Sequence, residues 1–330
     1  MIQLVLAVFA VSVVSVLILA PLLIRSALKK GLVDRDSNKP GRPTVAAMGG
    51  FAVYAGLVLG VLLAVLVISL ADHQFQLLVT LLAALLSVSI IALMGAFDDL
   101  FKLRWGVKAF LPVFAALPLI AVLAGDTAVS LPFVGAVDLG LFYTFILIPI
   151  GVTGAANAVN MSAGYNGLEA GEGAVISVFL LVIALSTGNV AAAVILAALF
   201  GACLAFLKFN WNPARVFPGD VGTYVIGGAI AAAVIIGNME KFGLILFLPA
   251  FYELFATVYY KFKKVDRRKT CHNPVLKGGK IIPPKGAENF TLAFFILGRK
   301  PMAESRLVAT ILLLYAACGC AALALFFAGA

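Results

Sequence analysis

The chain has 330 residues, of which 63% are hydrophobic and only 12% charged, with a mean hydropathy of +1.11. Soluble domains carry about 25% charged residues, so too few charges exist here to coat a water-facing surface; a polytopic membrane protein is expected. The excess of 24 Lys and Arg over 15 Asp and Glu then points to asymmetric loops, not to nucleic acid. Cys203, Cys271, Cys318 and Cys320 form no C-x-x-C pair, which argues against a disulfide framework or a zinc site.

A helix needs about 20 residues to cross a bilayer core. Ten apolar stretches approach that length: Ile2–Ile24, Val45–Leu70, Leu77–Phe97, Val107–Ala124, Leu139–Ala156, Ala174–Leu185, Val190–Leu207, Val221–Gly237, Phe242–Tyr260 and Leu307–Phe327. The sixth is short and extends most readily into its flanks. The first has no basic residue before it and Arg25, Lys29 and Lys30 after it, the reverse of a cleaved signal peptide. The expected fold is therefore all-α, with about ten transmembrane helices, both termini outside, and one domain over residues 1–330. Of the 24 Lys and Arg, only Lys241 falls outside one set of alternate loops, so those loops are assigned to the cytoplasm. The sequons at Asn160 and Asn289 fall on that side and are discounted as glycosylation sites. The cytoplasmic loop 261–304, with Pro274, Pro283 and Pro284, reads as a segment with little core of its own.

Polar groups near membrane depth are costly, so their placement carries information. Asp98 and Asp99 close the third stretch, Asn157 and Asn160 close the fifth, and Asp220 opens the eighth after Phe217-Pro218-Gly219. Each has a bland reading: a solvated helix end, or a cap that accepts orphan N–H groups. The topology nevertheless gathers all of them at the cytoplasmic edge, which favours one site built from several loops. Carboxylates with amide oxygens make a hard oxygen set of the kind Mg²⁺ takes together with water and phosphate, with Mn²⁺ as the alternative. Lys102, Arg104 and Lys108 beside it suit a polyanionic substrate, although orientation alone would explain any one of them. There is no Walker A sequence, no H-E-x-x-H and no nucleophile elbow, and Gly171-Glu172-Gly173 is only a fragment of a glycine-rich loop. His73 and His272 fall on opposite sides of the membrane and cannot pair.

At these residues the chain resembles the polyprenyl-phosphate N-acetylhexosamine-1-phosphate transferases, nearest the eukaryotic and archaeal branch acting on dolichyl phosphate. The matching segments are Asn38-Lys39-Pro40-Gly41-Arg42-Pro43, Phe97-Asp98-Asp99-Leu100 and Asn157-Ala158-Val159-Asn160. Ala163-Gly164-Tyr165-Asn166-Gly167-Leu168-Glu169 and Val216-Phe217-Pro218-Gly219-Asp220 follow. Bacterial relatives usually carry Asp-Gly at Ala163-Gly164 and a histidine-rich last cytoplasmic loop, where this chain has only His272.

The resemblance implies Mg²⁺-dependent transfer of N-acetylglucosamine-1-phosphate from UDP-N-acetylglucosamine to a polyprenyl phosphate, releasing UMP, as the first membrane step of N-glycan or related assembly. It implies Asn160 and Asp220 as metal ligands and Lys108 as the pyrophosphate contact. Phe217 is then the uracil stacking partner, with Gly164, Asn166 and Glu169 on the nucleotide sugar. Arg267, Arg268 and His272 cover the sugar phosphates, and Asn157 supports the site. Asp98 and Asp99 have three readings: positioning metal, lysine or acceptor for direct attack, acting as general base, or forming an aspartyl-phosphate. A phosphate monoester with a second pKa of about 6 needs little deprotonation near pH 7, so direct in-line attack is favoured over a base or an aspartyl-phosphate route. The expected location is the plasma membrane of a prokaryote or the endoplasmic reticulum of a eukaryote, with a homodimer left open. Competing expectations are transfer of a different sugar for surface polysaccharide, or a transporter, whose site would lie nearer the midplane. Glu253, following Pro249, is the one clear mid-helix acid and reads as a neutral, hydrogen-bonded groove residue.

Overall fold

The computed structural model describes residues 1–71, 74–131, 135–264, 274–287 and 290–329. Helix α1 spans Ile2–Lys30, and its buried residues Val5, Val8, Ser12, Val16, Ala20, Ile24 and Ala27 recur every three or four positions. That spacing puts them on one stripe, which packs on α2 (Gly50–Ala71) and α9 (Val190–Asn210). The opposite face, with Leu6, Val14, Ile18 and Leu22, is exposed and apolar, as a lipid-facing surface requires.

Helices α3 (Phe75–Phe101), α7 (Ile148–Ser162), α8 (Leu168–Thr187) and α10 (Gly219–Gly237) complete the inner bundle. Helix α10 is its axis, touching α2, α3, α7, α8 and α9, and nearly every residue from Val221 to Gly237 is buried. Two glycines let its first turn be approached closely. A Cβ on Gly50 would lie 2.2 Å from the Gly222 nitrogen, and one on Gly95 would lie 2.6 Å from the Val221 Cα. Sequence therefore brings the ends of α2 and α3 against the start of α10, where Asp220 sits.

Among the described residues, eight helices are long and apolar enough to cross a membrane, counting Gly140–Ser162 as one. Helices α11 (Glu240–Leu246) and α12 (Leu248–Phe262) form a ninth candidate, bent by 64°. Pro249 in the first turn of α12 explains the break, since it has no N–H to continue the preceding helix. The expected stretch Val107–Ala124 is not one continuous α-helix. That stretch becomes α4 (Trp105–Phe110), a 3₁₀ segment (Leu111–Ala116) and α5 (Leu117–Ala121), which together reach only 17 residues. Pro112 and Pro118 break the α-helical ladder there. The tighter, longer-rising 3₁₀ turn still gives the segment a length of about 28 Å. The sixth stretch extends in both directions to become α8, carrying Glu169 and Glu172 inside the helix. A short helix, α6 (Gly140–Phe142), and a π-helical turn (Tyr143–Leu147) precede α7.

Among the described residues, three antiparallel strand pairs decorate the bundle. In the first, β1 (Val33–Arg35) pairs with β2 (Thr44–Ala46). This hairpin is stitched to the entry of α10, because the Phe217 amide donates to the Ala46 carbonyl at 2.8 Å and Gly49 donates back to Phe217 at 2.8 Å. The second, β3 (Ala128–Leu131) with β4 (Gly135–Asp138), follows α5. The third, β5 (Val275–Lys277) with β6 (Lys280–Ile282), lies in the last basic loop. That loop is better packed than its composition suggests. Helix α13 (Leu292–Arg299) buries Ala293, Phe294 and Leu297, and Ile281 bonds Met302. Helix α14 (Glu304–Phe327) begins three residues before the predicted Leu307.

Candidate active site

The N-terminus of α10 organises the site. Gly219 has φ +68°, a conformation open to glycine, and any Cβ there would strike the Asp99 carboxylate at 2.5 Å. Asp99 is that close because it caps α10, accepting from the Asp220 amide at 2.9 Å and the Val221 amide at 3.2 Å. A helix start leaves its first N–H groups unpaired and partly positive, so a carboxylate from a neighbouring helix is a fitting partner.

Asp98 and Asp99, adjacent in sequence, therefore do different things. Asp98 is buried and accepts from Lys108 Nζ at 2.7 Å and from the Leu103 amide at 3.0 Å. Lys108 also lies 3.6 Å from the Asp220 carboxylate. Asp220 further accepts from Asn160 Nδ2 at 2.5 Å, and the same amide donates to Thr223 Oγ1 at 2.9 Å. Asp98, Lys108, Asp220 and Asn160 are thus one chain of contacts drawn from α3, α4, α10 and α7.

Asn157 does not join them. Its Nδ2 donates to the Ala109 and Thr153 carbonyls at 2.9 Å each, which ties α4 to α7 and so holds Lys108 from behind. The expected shared face of Asn157 and Asn160 exists, but the two amides serve different neighbours.

Next to this chain lies a cavity of about 320 Å³, lined among others by Arg35, Lys102, Gly164, Asn166, Phe217 and Asp220. Glu169 lines it too, yet its carboxylate accepts from the Gly164 amide at 3.0 Å, so it shapes the loop it follows. A larger cavity of about 580 Å³, lined by Asp126, Thr127 and Asn238 among others, has no Lys or Arg among the described residues of its wall. Only the first can complement a phosphate.

The donor chemistry fits a hard divalent cation. The carboxylates of Asp98 and Asp220 already hold a positive group, the Lys108 ammonium, between them, and the Asn160 amide stands against Asp220. Among the described residues no three His, Cys, Asp or Glu side chains form a closed metal cage. A sparse oxygen set of this kind suits Mg²⁺, which keeps water and substrate phosphate in its shell.

Several participants were not legible beforehand. Glu304 is buried and ion-pairs with Lys39, while its other oxygen accepts from the Asn166 amide at 2.8 Å. Asp36, also buried, accepts from Asn166 Nδ2 at 2.9 Å. Glu172, set aside as part of a glycine-rich fragment, is fully buried and accepts from Ser162 Oγ and Tyr315 OH, each at 2.6 Å. Its spacing of three from Glu169 at the head of an apolar helix was the available signal. Glu253 accepts from the Leu292 amide at 2.8 Å and so caps α13. Arg267, Arg268 and His272 lie outside the described residues.

Bundle and site together define a multi-pass membrane protein whose polar, mixed-charge centre is assembled at the ends of its helices. Residues 81–238 match glycosyl transferase family 4. A Saccharolobus solfataricus protein, provisionally named a UDP-N-acetylglucosamine--dolichyl-phosphate N-acetylglucosaminephosphotransferase, is 39% identical over 253 residues, covering 74% of each chain. The Schizosaccharomyces pombe protein of the same name is 33% identical over 223 residues, 61% of this chain and 50% of its own. A Clostridioides difficile phospho-N-acetylmuramoyl-pentapeptide-transferase is 29% identical over 264 residues, 74% of this chain and 80% of its own. The chain belongs to glycosyl transferase family 4.

Proposed function

We propose that this protein transfers N-acetylglucosamine-1-phosphate from UDP-N-acetylglucosamine to a polyprenyl phosphate of the dolichyl type and releases UMP. The observation that carries the reading is Lys108, held between Asp98 and Asp220 beside a cavity with basic and aromatic walls. The names of the archaeal and yeast relatives support the donor and acceptor.

A lipid phosphate oxygen attacks the β-phosphorus of the nucleotide sugar, a new P–O bond forms, and the bond to UMP breaks. Negative charge grows on the departing UMP oxygen. The Lys108 ammonium, oriented by Asp98, is placed to stabilise that charge, an interaction that strengthens only as the bond breaks. Asp99 fixes the first turn of α10 and thereby the position of Asp220. Phe217 offers its ring to the uracil, and the Gly164–Asn166 loop holds the uridine. Asp220 and Asn160 are the residues to hold Mg²⁺, which when bound would neutralise the pyrophosphate. No base is required, since the acceptor is already mostly dianionic near pH 7 given a second phosphate pKa of about 6.

In this reading the segment Trp105–Ala121 also crosses the membrane. That gives ten spans, with the basic loops and the site on the cytoplasmic side, where a soluble nucleotide sugar can reach a lipid headgroup. The test is UMP release by purified protein given UDP-N-acetylglucosamine, short polyprenyl phosphates and Mg²⁺, repeated across other UDP-sugars. Release that depends on both lipid and metal supports the proposal, and its absence with every UDP-sugar defeats it. Exchange of labelled UMP into donor without lipid would replace direct attack by an aspartyl-phosphate route.

A further inference from the structure

Behind the cavity wall, three distant chain segments meet at one ion pair, of which Glu304 is buried and Lys39 half-buried. Lys39, from the loop after β1, contacts Glu304 at the head of α14 and lies 3.4 Å from Asp36. Glu304 accepts the Asn166 amide at 2.8 Å, and Asp36 accepts the Asn166 side chain at 2.9 Å. Asn38 Nδ2 donates to the Gly164 carbonyl at 2.8 Å. Both backbone and side chain of Asn166 are therefore held by acids that share the one charge of Lys39. Asp36, Asn166 and Glu304 are each at most 4% exposed, so water replaces none of these contacts. Glu304 and Lys39 do not line the cavity, whereas Gly164 and Asn166 do.

We infer that Lys39 and Glu304 are positioning residues that set the Gly164–Asn166 loop for the donor nucleotide, and that they govern donor affinity rather than the acceptor end. The inference rests on the donor reading above. Two acids at one loop repel each other unless a cation sits between them. Removing Lys39 leaves two carboxylates without their cation, and neutralising Glu304 leaves Lys39 to Asp36 alone and weakens the acceptor of the Asn166 amide. The loop would then shift, and misplacements of about 1 Å cost up to 10²-fold in a positioned site. Lys108, Asp98 and Asp220 belong to a separate set of contacts, so the chemical step should be spared.

The experiment compares Glu304→Gln, Lys39→Met, their combination, and Lys39→Arg in purified protein that elutes and melts as a folded species. The expected result is a donor KM raised about tenfold or more in both single variants, with acceptor KM and kcat within about twofold. The double variant should be no worse than either single one, since the two act as one unit, and Lys39→Arg should stay near wild type. Unchanged donor KM in the folded single variants, or equal shifts in donor and acceptor KM, would overturn the inference. Should Glu304→Gln not fold, Lys39→Met alone decides it by the same split. Calorimetric titration with UMP gives a second readout that needs no turnover. If wild-type protein transfers no sugar phosphate yet binds UMP, weaker UMP binding in the variants upholds the positioning role of Lys39 and Glu304 while the donor reading fails. Equal UMP binding in wild type and variants defeats the positioning role of Lys39 and Glu304.

Discussion

The Asp99 carboxylate caps helix α10 through the backbone amides of Asp220 and Val221, at 2.9 and 3.2 Å. Asp99→Ala removes that cap. Caps are worth about 0.5–2 kcal/mol, so a loss of stability in this range is expected together with reduced turnover as Asp220 moves. Asp99→Asn keeps one acceptor oxygen and should lose less of both. Thermal unfolding and UMP release measure the two effects, and an Asp99→Ala protein unchanged in both would remove the capping role.

Asp220→Ala should abolish transfer and leave the fold intact. The carboxylate lines the cavity and contributes little to packing, while its expected duty is the metal. Asn160→Ala should follow with a smaller loss, because the amide is the weaker oxygen ligand. Titration of activity against Mg²⁺ checks this: wild-type turnover and metal dependence in purified Asp220→Ala would end the metal assignment.

Lys108→Met should lower kcat more than it raises donor KM, as befits a cation that acts on the leaving group. It also leaves buried Asp98 without its cation. Adding Asp98→Asn in the same protein should therefore recover part of the lost stability without recovering turnover. A large rise in KM at constant kcat would make Lys108 a binding residue only.

Tyr315→Phe deletes the hydroxyl that Glu172 accepts at 2.6 Å in the interior of the bundle. A buried acceptor that loses a partner costs about 1–3 kcal/mol, so the melting temperature should fall. Turnover at low temperature should remain near wild type, since neither residue lines the cavity. A turnover defect without a stability defect would mean that Glu172 serves the reaction.

Alanine substitutions at Arg268 and His272 test the basic cluster of the loop 261–304. If the cluster covers the sugar phosphates, each should weaken use of UDP-N-acetylglucosamine without affecting membrane insertion. If it meets only anionic headgroups, detergent assays of Arg267→Ala, Arg268→Ala, Lys269→Ala and His272→Ala should all be silent, because charges beyond a Debye length of about 8 Å are screened.

The membrane class, nearly all of the helices, and the gathering of Asp98, Asp99, Asn160 and Asp220 in one place were legible in the sequence. Bilayer thickness imposes a length on every apolar stretch, and stray carboxylates in such a chain are too costly to be random. Proline positions could have warned that Val107–Ala124 would not be one α-helix, since Pro112 and Pro118 both remove ladder donors. Tertiary structure alone decided what the acids do. Nothing in Asp98-Asp99 says that one residue grips Lys108 and the other caps a helix 121 positions away. Nor does Glu304 announce that it meets Lys39 and Asn166. Hydropathy is a property of each segment and can be summed along the chain. A hydrogen bond between segments depends on how helices cross, and here that is decided where Gly50 and Gly95 let two backbones press against the start of α10.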